Sequence, residues 1–111
     1  MSDRQWSLYL DDIKLAIKNI NKYIKGMRFN DFVKDSKTQD AVVRNLEVIG
    51  EAAKHIPQSI TKKFPGIPWA QVISMRNKMI HAYFGIDPDI VWQTIKEDLP
   101  QLQKQINKIE Y

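Results

Sequence analysis

Apolar residues recur at every third or fourth position along most of this chain, which is the spacing of an amphipathic helix rather than of a strand. The first segment of this kind predicts a helix over residues 3–24, which Gly26 is expected to end. A short helical turn at residues 31–33 is expected to follow. The apolar stripe of the first helix comprises Trp6, Leu10, Ile13, Ile17, Ile20 and Ile24.

A second amphipathic segment follows a polar stretch. Thr38 is the predicted N-cap of this helix, because a hydroxyl there can accept a hydrogen bond from an unpaired backbone N–H, and the helix is expected to end before Pro57. Its apolar stripe comprises Val42, Leu46, Ile49, Ala53 and Ile56. Residues 58–69 then include prolines and a glycine that interrupt helices, so this segment is predicted to be the main loop of the chain.

Pro68 and the residues after it predict a third helix, over residues 69–83. A proline suits the first turn of a helix, because backbone N–H groups in that turn have no acceptor within the helix and proline lacks such a group. The sequence FGIDPD, residues 84–89, is expected to break this helix.

Asp87 and Pro88 open the last predicted helix, which runs to about residue 108 and which Pro100 is expected to kink or restart. The chain shows no internal repeat and no linker. The pattern therefore predicts one all-α domain over residues 1–111, built as an antiparallel bundle of four or five helices.

The composition narrows the class of protein. Of 111 residues, 43% are hydrophobic, which is sufficient for one packed core, and the absence of cysteine excludes disulfides, thiolate metal sites and cysteine nucleophiles. The first residues are charged and no apolar run approaches the roughly 18 residues of a membrane span, so a cytoplasmic protein without a signal peptide is expected. The formal charge of +4 is compatible with an RNA partner but does not identify one.

The third helix departs from the amphipathic pattern at Arg76. With about 100° of rotation per residue, six apolar residues lie within roughly 60° of this arginine. They are Trp69, Val72, Ile73, Met79, Ile80 and Tyr83. A charge in an apolar face must be paired, and Glu47 or Glu51 of the second helix is the expected partner. Gly50 supports Glu51, since a glycine permits another backbone to approach closely.

His81 lies about 140° around the helix from Arg76, on a polar strip with Ala70, Ser74 and Asn77. Asn77 precedes His81 by four residues, so its amide can fix the tautomer of the imidazole. Two side chains this far apart do not converge on one phosphate from a regular helix. Either the helix is irregular near its end or a second subunit completes the site, and we expect a homodimer with the third helices near its two-fold axis.

The segment RNKMIHAY, from Arg76 to Tyr83, resembles the R-x4-H-x-Y signature of HepT-type toxins of the HEPN family. Three blocks resemble that family in order: RNLEVIGEAAKHI, FPGIPWAQVISMRNKMIHAYFGID and VWQTIKEDLPQL. The resemblance covers about two-thirds of the chain, and every position of the motif is intact.

The resemblance implies an all-α HEPN bundle, a homodimer and metal-independent cleavage of RNA without a cofactor. It implies a toxin of a type VII-like toxin–antitoxin pair, whose antitoxin is a minimal nucleotidyltransferase that transfers AMP to the motif tyrosine. In this chain that residue is Tyr83.

The residue chemistry suits such a reaction, because RNA carries its own nucleophile, the 2′-OH. His81 is the candidate general acid or base and Arg76 the candidate cation that stabilises charge on the phosphorus, with Asn77 and Glu51 as supporting residues. Tyr83 is the candidate AMP acceptor. The chain's other histidine, His55, is interpreted as structural.

Two alternatives to a ribonuclease fit the same sequence. A non-catalytic subunit that binds nucleotide or substrate for a separate nucleotidyltransferase would keep the bundle but would not need both Arg76 and His81. A bundle that only mediates association would explain the apolar stripes but not Arg76.

Overall fold

The computed structural model describes residues 5–84 and 87–111, and for residues 81–84 it describes the backbone alone. All regular elements in these ranges are helical. The elements are α1 (Trp6–Ile24), α2 (Phe29–Val33), α3 (Ser36–Lys54), α4 (Gln58–Thr61), α5 (Trp69–Phe84), α6 (Pro88–Gln93), a π-helical turn (Thr94–Asp98) and α7 (Leu99–Ile106). Helices α6 and α7 continue through the π turn as one rod, so the described residues form four long helices, which confirms the predicted all-α bundle.

Helix α1 buries the stripe that the sequence predicts. Its buried residues are Leu10, Ile13, Ala16, Ile17, Ile20 and Ile24. Trp6 is half-buried and its ring lies 5.8 Å from that of Tyr111. Gly26 ends the helix as predicted, with a φ of +79° that favours glycine. The predicted start, at residue 3, lies outside the described residues.

The N-cap of α3 is Asp35, so the prediction of Thr38 was wrong. The carboxylate of Asp35 accepts hydrogen bonds from the backbone N–H of Thr38 at 3.0 Å and from its hydroxyl at 2.7 Å. Thr38 is thus the third residue of the helix, and the side chain that caps lies three residues before it. All five predicted stripe residues of this segment are buried.

The predicted loop over residues 58–69 contains the one-turn helix α4. The carbonyl of Pro57 accepts from the backbone N–H groups of Ile60 and Thr61, at 2.9 and 3.0 Å. Pro57 therefore both follows α3 and caps the start of α4. Its fixed φ of −63° suits the residue before a helix. The interruption comes later, at Pro65 and Gly66.

The C-terminal rod begins as predicted. The side chain of Asp87 accepts from the backbone N–H groups of Asp89 and Ile90, and Pro88 is the first helical residue. Before Pro100 the helix widens to a π turn, in which the N–H of Leu99 bonds to the carbonyl of Thr94. A proline crowds the carbonyl four residues before it, and the wider turn relieves that clash, so Pro100 restarts the helix without ending the rod.

Side-chain contacts show that α1 and α3 run antiparallel. Near one end of the pair, the ring of Tyr9 stacks on His55 with centroids 4.9 Å apart. Towards the other end, the amide of Asn19 donates to Asn45 at 3.4 Å. His55 therefore has the structural contact that its position suggests.

Helix α5 lies between α3 and the C-terminal rod. On one side Gly50 of α3 is in close contact with the backbone at Arg76. On the other side Lys78 reaches Asp98 of the rod, at 4.0 Å. No helix in the described residues is both long and apolar enough to cross a membrane. Polar side chains of α5 therefore contact α3 on one side of the helix and the C-terminal rod on the other.

Candidate active site on α5

Arg76 does not lie in the buried face of α5, which corrects the sequence interpretation. The residues of α5 that face the core are Val72, Met75 and Met79, whereas the side chain of Arg76 is 47% exposed. The centre of the buried face is rotated by roughly 65° from Arg76, towards Met75. On the other flank Ile73 is exposed and Trp69 and Ile80 are only half-buried, so the arginine lies at the edge of the core.

Arg76 forms an ion pair with Glu51, which is one of the two carboxylates predicted from the sequence. Oε1 of Glu51 lies 3.1 Å from Nε of Arg76, and the Glu51 side chain is 45% exposed. Among the described residues Arg76 has no second ion-pair partner. No described residue accepts a hydrogen bond from the terminal N–H groups of the guanidinium, which can therefore bind a ligand.

Gly50 fixes the distance between the two helices at this ion pair. A Cβ at residue 50 would lie 3.0 Å from the backbone nitrogen of Arg76 and 3.2 Å from the carbonyl oxygen of Ile73. Only a residue without a side chain allows so close an approach. Gly50 therefore sets the position of the α5 backbone that carries Arg76.

Large apolar side chains flank Arg76 on the side away from the centre of the buried face. Ile73 is 37% exposed, and Trp69 and Ile80 are half-buried. The indole N–H of Trp69 donates to the carbonyl of Phe64 at 3.0 Å, which holds the first turn of α5 against the preceding loop. Ile73 therefore adds a partly exposed apolar side chain to the surface beside the ion pair.

His81 and Tyr83 lie in the last turn of α5, where their side chains are outside the described part of the chain. The structure therefore tests neither the predicted role of His81 nor that of Tyr83. Asn77 is exposed on the flank of α5 that also carries Ser74. Whether Arg76 and His81 meet at one phosphate remains a prediction.

A cleft of about 370 Å³ lies between α5 and the C-terminal rod, on the side of α5 away from Glu51. Ser74 and Lys78 of α5 and Asp98 of the π turn are among its lining residues. Sequence reasoning did not identify this cleft, because its two walls belong to separate helices and the pattern of each does not show how they pack together. The repeated spacing of polar residues on each of the two helices is the sequence signal that could have indicated this cleft.

Comparison with known proteins assigns the family. The profile of the Ribonuclease HepT-like family matches residues 13–109. A protein of Thermococcus cleftensis named "Probable ribonuclease HepT" is 48% identical over 101 residues, which cover 91% of this chain and 92% of that protein.

Two further relatives have names of the same kind. A protein of Caldanaerobacter subterraneus subsp. tengcongensis, provisionally named an RNase, is 42% identical, with 91% of this chain and 90% of the relative covered. One from Methanocaldococcus jannaschii, also provisionally named an RNase, is 37% identical, with 96% and 97% covered. No solved structure matches the chain. The chain therefore belongs to the Ribonuclease HepT-like family, and the enzyme class that this membership gives it is ribonuclease.

Proposed function

We propose that this protein is the toxin of a toxin–antitoxin pair and cleaves RNA internally without a metal ion, with Arg76 and His81 as its catalytic residues. The observation that carries the proposal is the exposure of Arg76 and its contact with Glu51. Its guanidinium is about half exposed, its Nε lies 3.1 Å from Glu51, and its terminal N–H groups bond to no described residue, so they can bind phosphate oxygens. Family membership supports the choice of RNA as substrate.

The proposed reaction uses the 2′-OH of the substrate as nucleophile. The 2′-oxygen forms a bond to the adjacent phosphorus and loses its proton, while the bond from phosphorus to the 5′-oxygen breaks and that oxygen gains a proton. His81 transfers one of these protons, and Arg76 stabilises the charge that accumulates on the phosphoryl oxygens. The products are a 2′,3′-cyclic phosphate and a 5′-OH end.

We propose that the active form is a homodimer with the α5 helices near its axis. Arg76 and His81 lie about 140° apart around α5, so a second subunit brings the two groups to one phosphate. The exposed Ile73 beside Arg76 supports an interface at this place. Sedimentation equilibrium tests it: Ile73→Asp shifts the protein towards monomer, whereas Leu15→Asp, at an exposed leucine of α1, does not. A wild-type monomer at micromolar concentration contradicts the proposal.

An RNA cleavage assay tests the catalytic assignment. We expect His81→Ala and Arg76→Ala each to lower the cleavage rate at least about 100-fold, the lower range for loss of an acid–base or charge-stabilising group. Arg44→Ala, which removes an exposed arginine of α3, is the matched control and keeps the wild-type rate. Cleavage by His81→Ala at the wild-type rate contradicts the assignment.

The antitoxin in this proposal is a minimal nucleotidyltransferase that transfers AMP to Tyr83. The α-phosphorus of ATP forms a bond to the tyrosine oxygen, pyrophosphate leaves, and the phenolic proton is released. Tyr83 is about 20° from Arg76 around α5 and two turns further along, so the added phosphate would compete for the guanidinium. Intact mass after incubation with the antitoxin and ATP should rise by one AMP in wild type and stay unchanged in Tyr83→Phe. The same gain in both contradicts this part of the proposal.

A further inference from the structure

The cleft between α5 and the C-terminal rod has an apolar floor. Val72, Met75 and Leu102 line it, and all three are buried. Its volume of about 370 Å³ lies within the range of roughly 300–1,000 Å³ that is usual for sites that bind small organic groups. Such sites combine an apolar lining with a few polar groups that orient the ligand. The floor therefore supplies the first of these two requirements.

The rim of the cleft supplies the second requirement, as two polar rows that face each other. Each row contains three residues at positions i, i+3 and i+7, a spacing that places them on one side of a helix. The rows are Gln71, Ser74 and Lys78 on α5 and Asp98, Gln101 and Gln105 on the rod.

Three of these side chains are amides that have no hydrogen-bond partner in the described part of the chain. Gln71, Gln101 and Gln105 form no side-chain hydrogen bond with another described residue, and none of the three is buried. A carboxamide presents one acceptor and two donors side by side, which match the edge of a nucleobase. Unpaired bases in RNA are recognised through such edges, because they are not engaged in a duplex.

The cleft lies next to the candidate catalytic turn of α5. Lys78 is at its mouth, where the ammonium is 4.0 Å from the carboxylate of Asp98 and both side chains are more than half exposed. An ion pair this exposed contributes little to stability and can open for a phosphate. His81 follows Lys78 by three residues, which places it about 4.5 Å along the helix axis from Lys78 and about 60° around it.

We infer that this cleft is a subsite for an unpaired base of the RNA next to the scissile phosphate. Gln71 and Gln101 bind the edge of the base, the apolar floor contacts its face, and Lys78 contacts the adjoining phosphate. The inference rests on the proposed function, since it places the base beside the residue that would act on that phosphate. A helix of another protein fits less well, because the volume is that of a small organic group.

Cleavage of defined oligonucleotides tests the subsite. The probes are single-stranded RNAs that carry each of the four bases in turn at the nucleotides flanking the cleavage position. We expect wild type to prefer one base at one flanking position by about tenfold in kcat/KM, within the range for a bidentate contact to a base. The double variant Gln71→Ala/Gln101→Ala should lose this preference, and Gln58→Ala, at an exposed glutamine of α4, should keep it. An equal preference in the double variant, or none in wild type, overturns the inference.

A binding experiment separates this inference from the proposed function. Side-chain amide NMR signals of the three glutamines are followed while AMP, GMP, CMP or UMP is added to His81→Ala, which retains the cleft. We expect one of the nucleotides to shift these signals at millimolar concentration and to leave the amide of Gln58 unaffected. If His81→Ala cleaves RNA normally, the catalytic assignment fails while the shifts still support the subsite. If no nucleotide shifts any of the three, or if Gln71→Ala/Gln101→Ala converts a dimer to monomer, the subsite is overturned.

Discussion

Helices α1 and α5 use their apolar residues differently. The stripe of α1 turns inward as a whole, from Leu10 to Ile24, and each of these residues is buried. In α5 the apolar residues divide, since Met75 and Met79 enter the core while Ile73 on the other flank is 37% exposed. Single exposed leucines occur on α1 as well, but they lie outside its stripe, as is common on protein surfaces.

This difference distinguishes apolar residues that are needed for the folded core from those that are not. Burial alone accounts for the pattern of α1. The outward residues of α5 stand beside Arg76 and Glu51, an exposed ion pair of a kind that adds at most about 1 kcal/mol to stability. The following predictions test whether this ion pair serves binding and the stripe of α1 serves folding.

The largest effect is expected in the core stripe of α1. Ile13→Ala should lower the free energy of unfolding by about 2–5 kcal/mol, because Ile13 is fully buried and the substitution leaves a cavity. Leu15→Ala, at a leucine that is 56% exposed, should change it by less than about 0.5 kcal/mol. Urea denaturation measures both. If the two variants lose equal stability, burial does not explain the stripe of α1.

The ion pair of α5 should affect catalysis more than stability. Glu51→Ala is expected to lower kcat about tenfold, since the guanidinium of Arg76 loses its orientation, while unfolding changes by less than about 1 kcal/mol. Glu51→Gln retains an oxygen that can accept from Nε and should recover part of the rate. A rate that is unchanged in Glu51→Ala would show that Arg76 needs no positioning by α3.

The crossing of α3 and α5 should tolerate no added side chain. Gly50→Ala places a methyl group 3.0 Å from the backbone of Arg76, and overpacking of this kind costs about 1–3 kcal/mol. The higher helix propensity of alanine returns about 1 kcal/mol, so a net loss on the order of 1 kcal/mol is expected. Gly66→Ala is the control, since its nearest contact, with Gln105, is at an ordinary 3.5 Å. Equal stability of wild type and Gly50→Ala would mean that the helices can move apart freely.

The smallest effect is expected on the pH dependence of stability at the N-cap of α3. Hydrogen bonds from the backbone N–H and the hydroxyl of Thr38 lower the pKa of Asp35 below its usual value of 3.8. A group whose pKa is lower in the folded state stabilises the fold above its unfolded pKa and loses that contribution as the pH falls through the folded one. Asp35→Asn keeps a cap without the charge, so its unfolding midpoint should depend less on pH below about 4 than that of wild type. An identical pH dependence would exclude Asp35 as a source of acid sensitivity.

The sequence predicted the features that depend on local pattern. The inward stripe of α1, the end of that helix at Gly26 and the start of the C-terminal rod at Asp87 were all predicted correctly, because periodicity and capping residues lie close together in the chain. The family was also identified, since Arg76 and Tyr83 belong to one short segment with a specific motif.

Features that depend on tertiary packing were predicted less well. The position of Arg76 at the edge of the core was missed, because apolar residues flank it on both sides and the sequence does not say which flank meets α3. Thr38 and Asp35 both suit an N-cap, and the backbone direction of the preceding turn decides between them. The cleft requires α5 and the rod to be brought together, so neither segment reveals it alone.

Trp69 gives α5 an optical reporter that needs no label. Its indole N–H bonds to the carbonyl of Phe64, and its half-buried ring begins the helix that carries Gln71, Arg76 and the catalytic candidates. Indole emission responds to the polarity and hydrogen bonding around the ring. With Trp6 and Trp92 replaced by phenylalanine, the fluorescence of the remaining tryptophan would follow each event on α5 in real time, from nucleotide binding to subunit association.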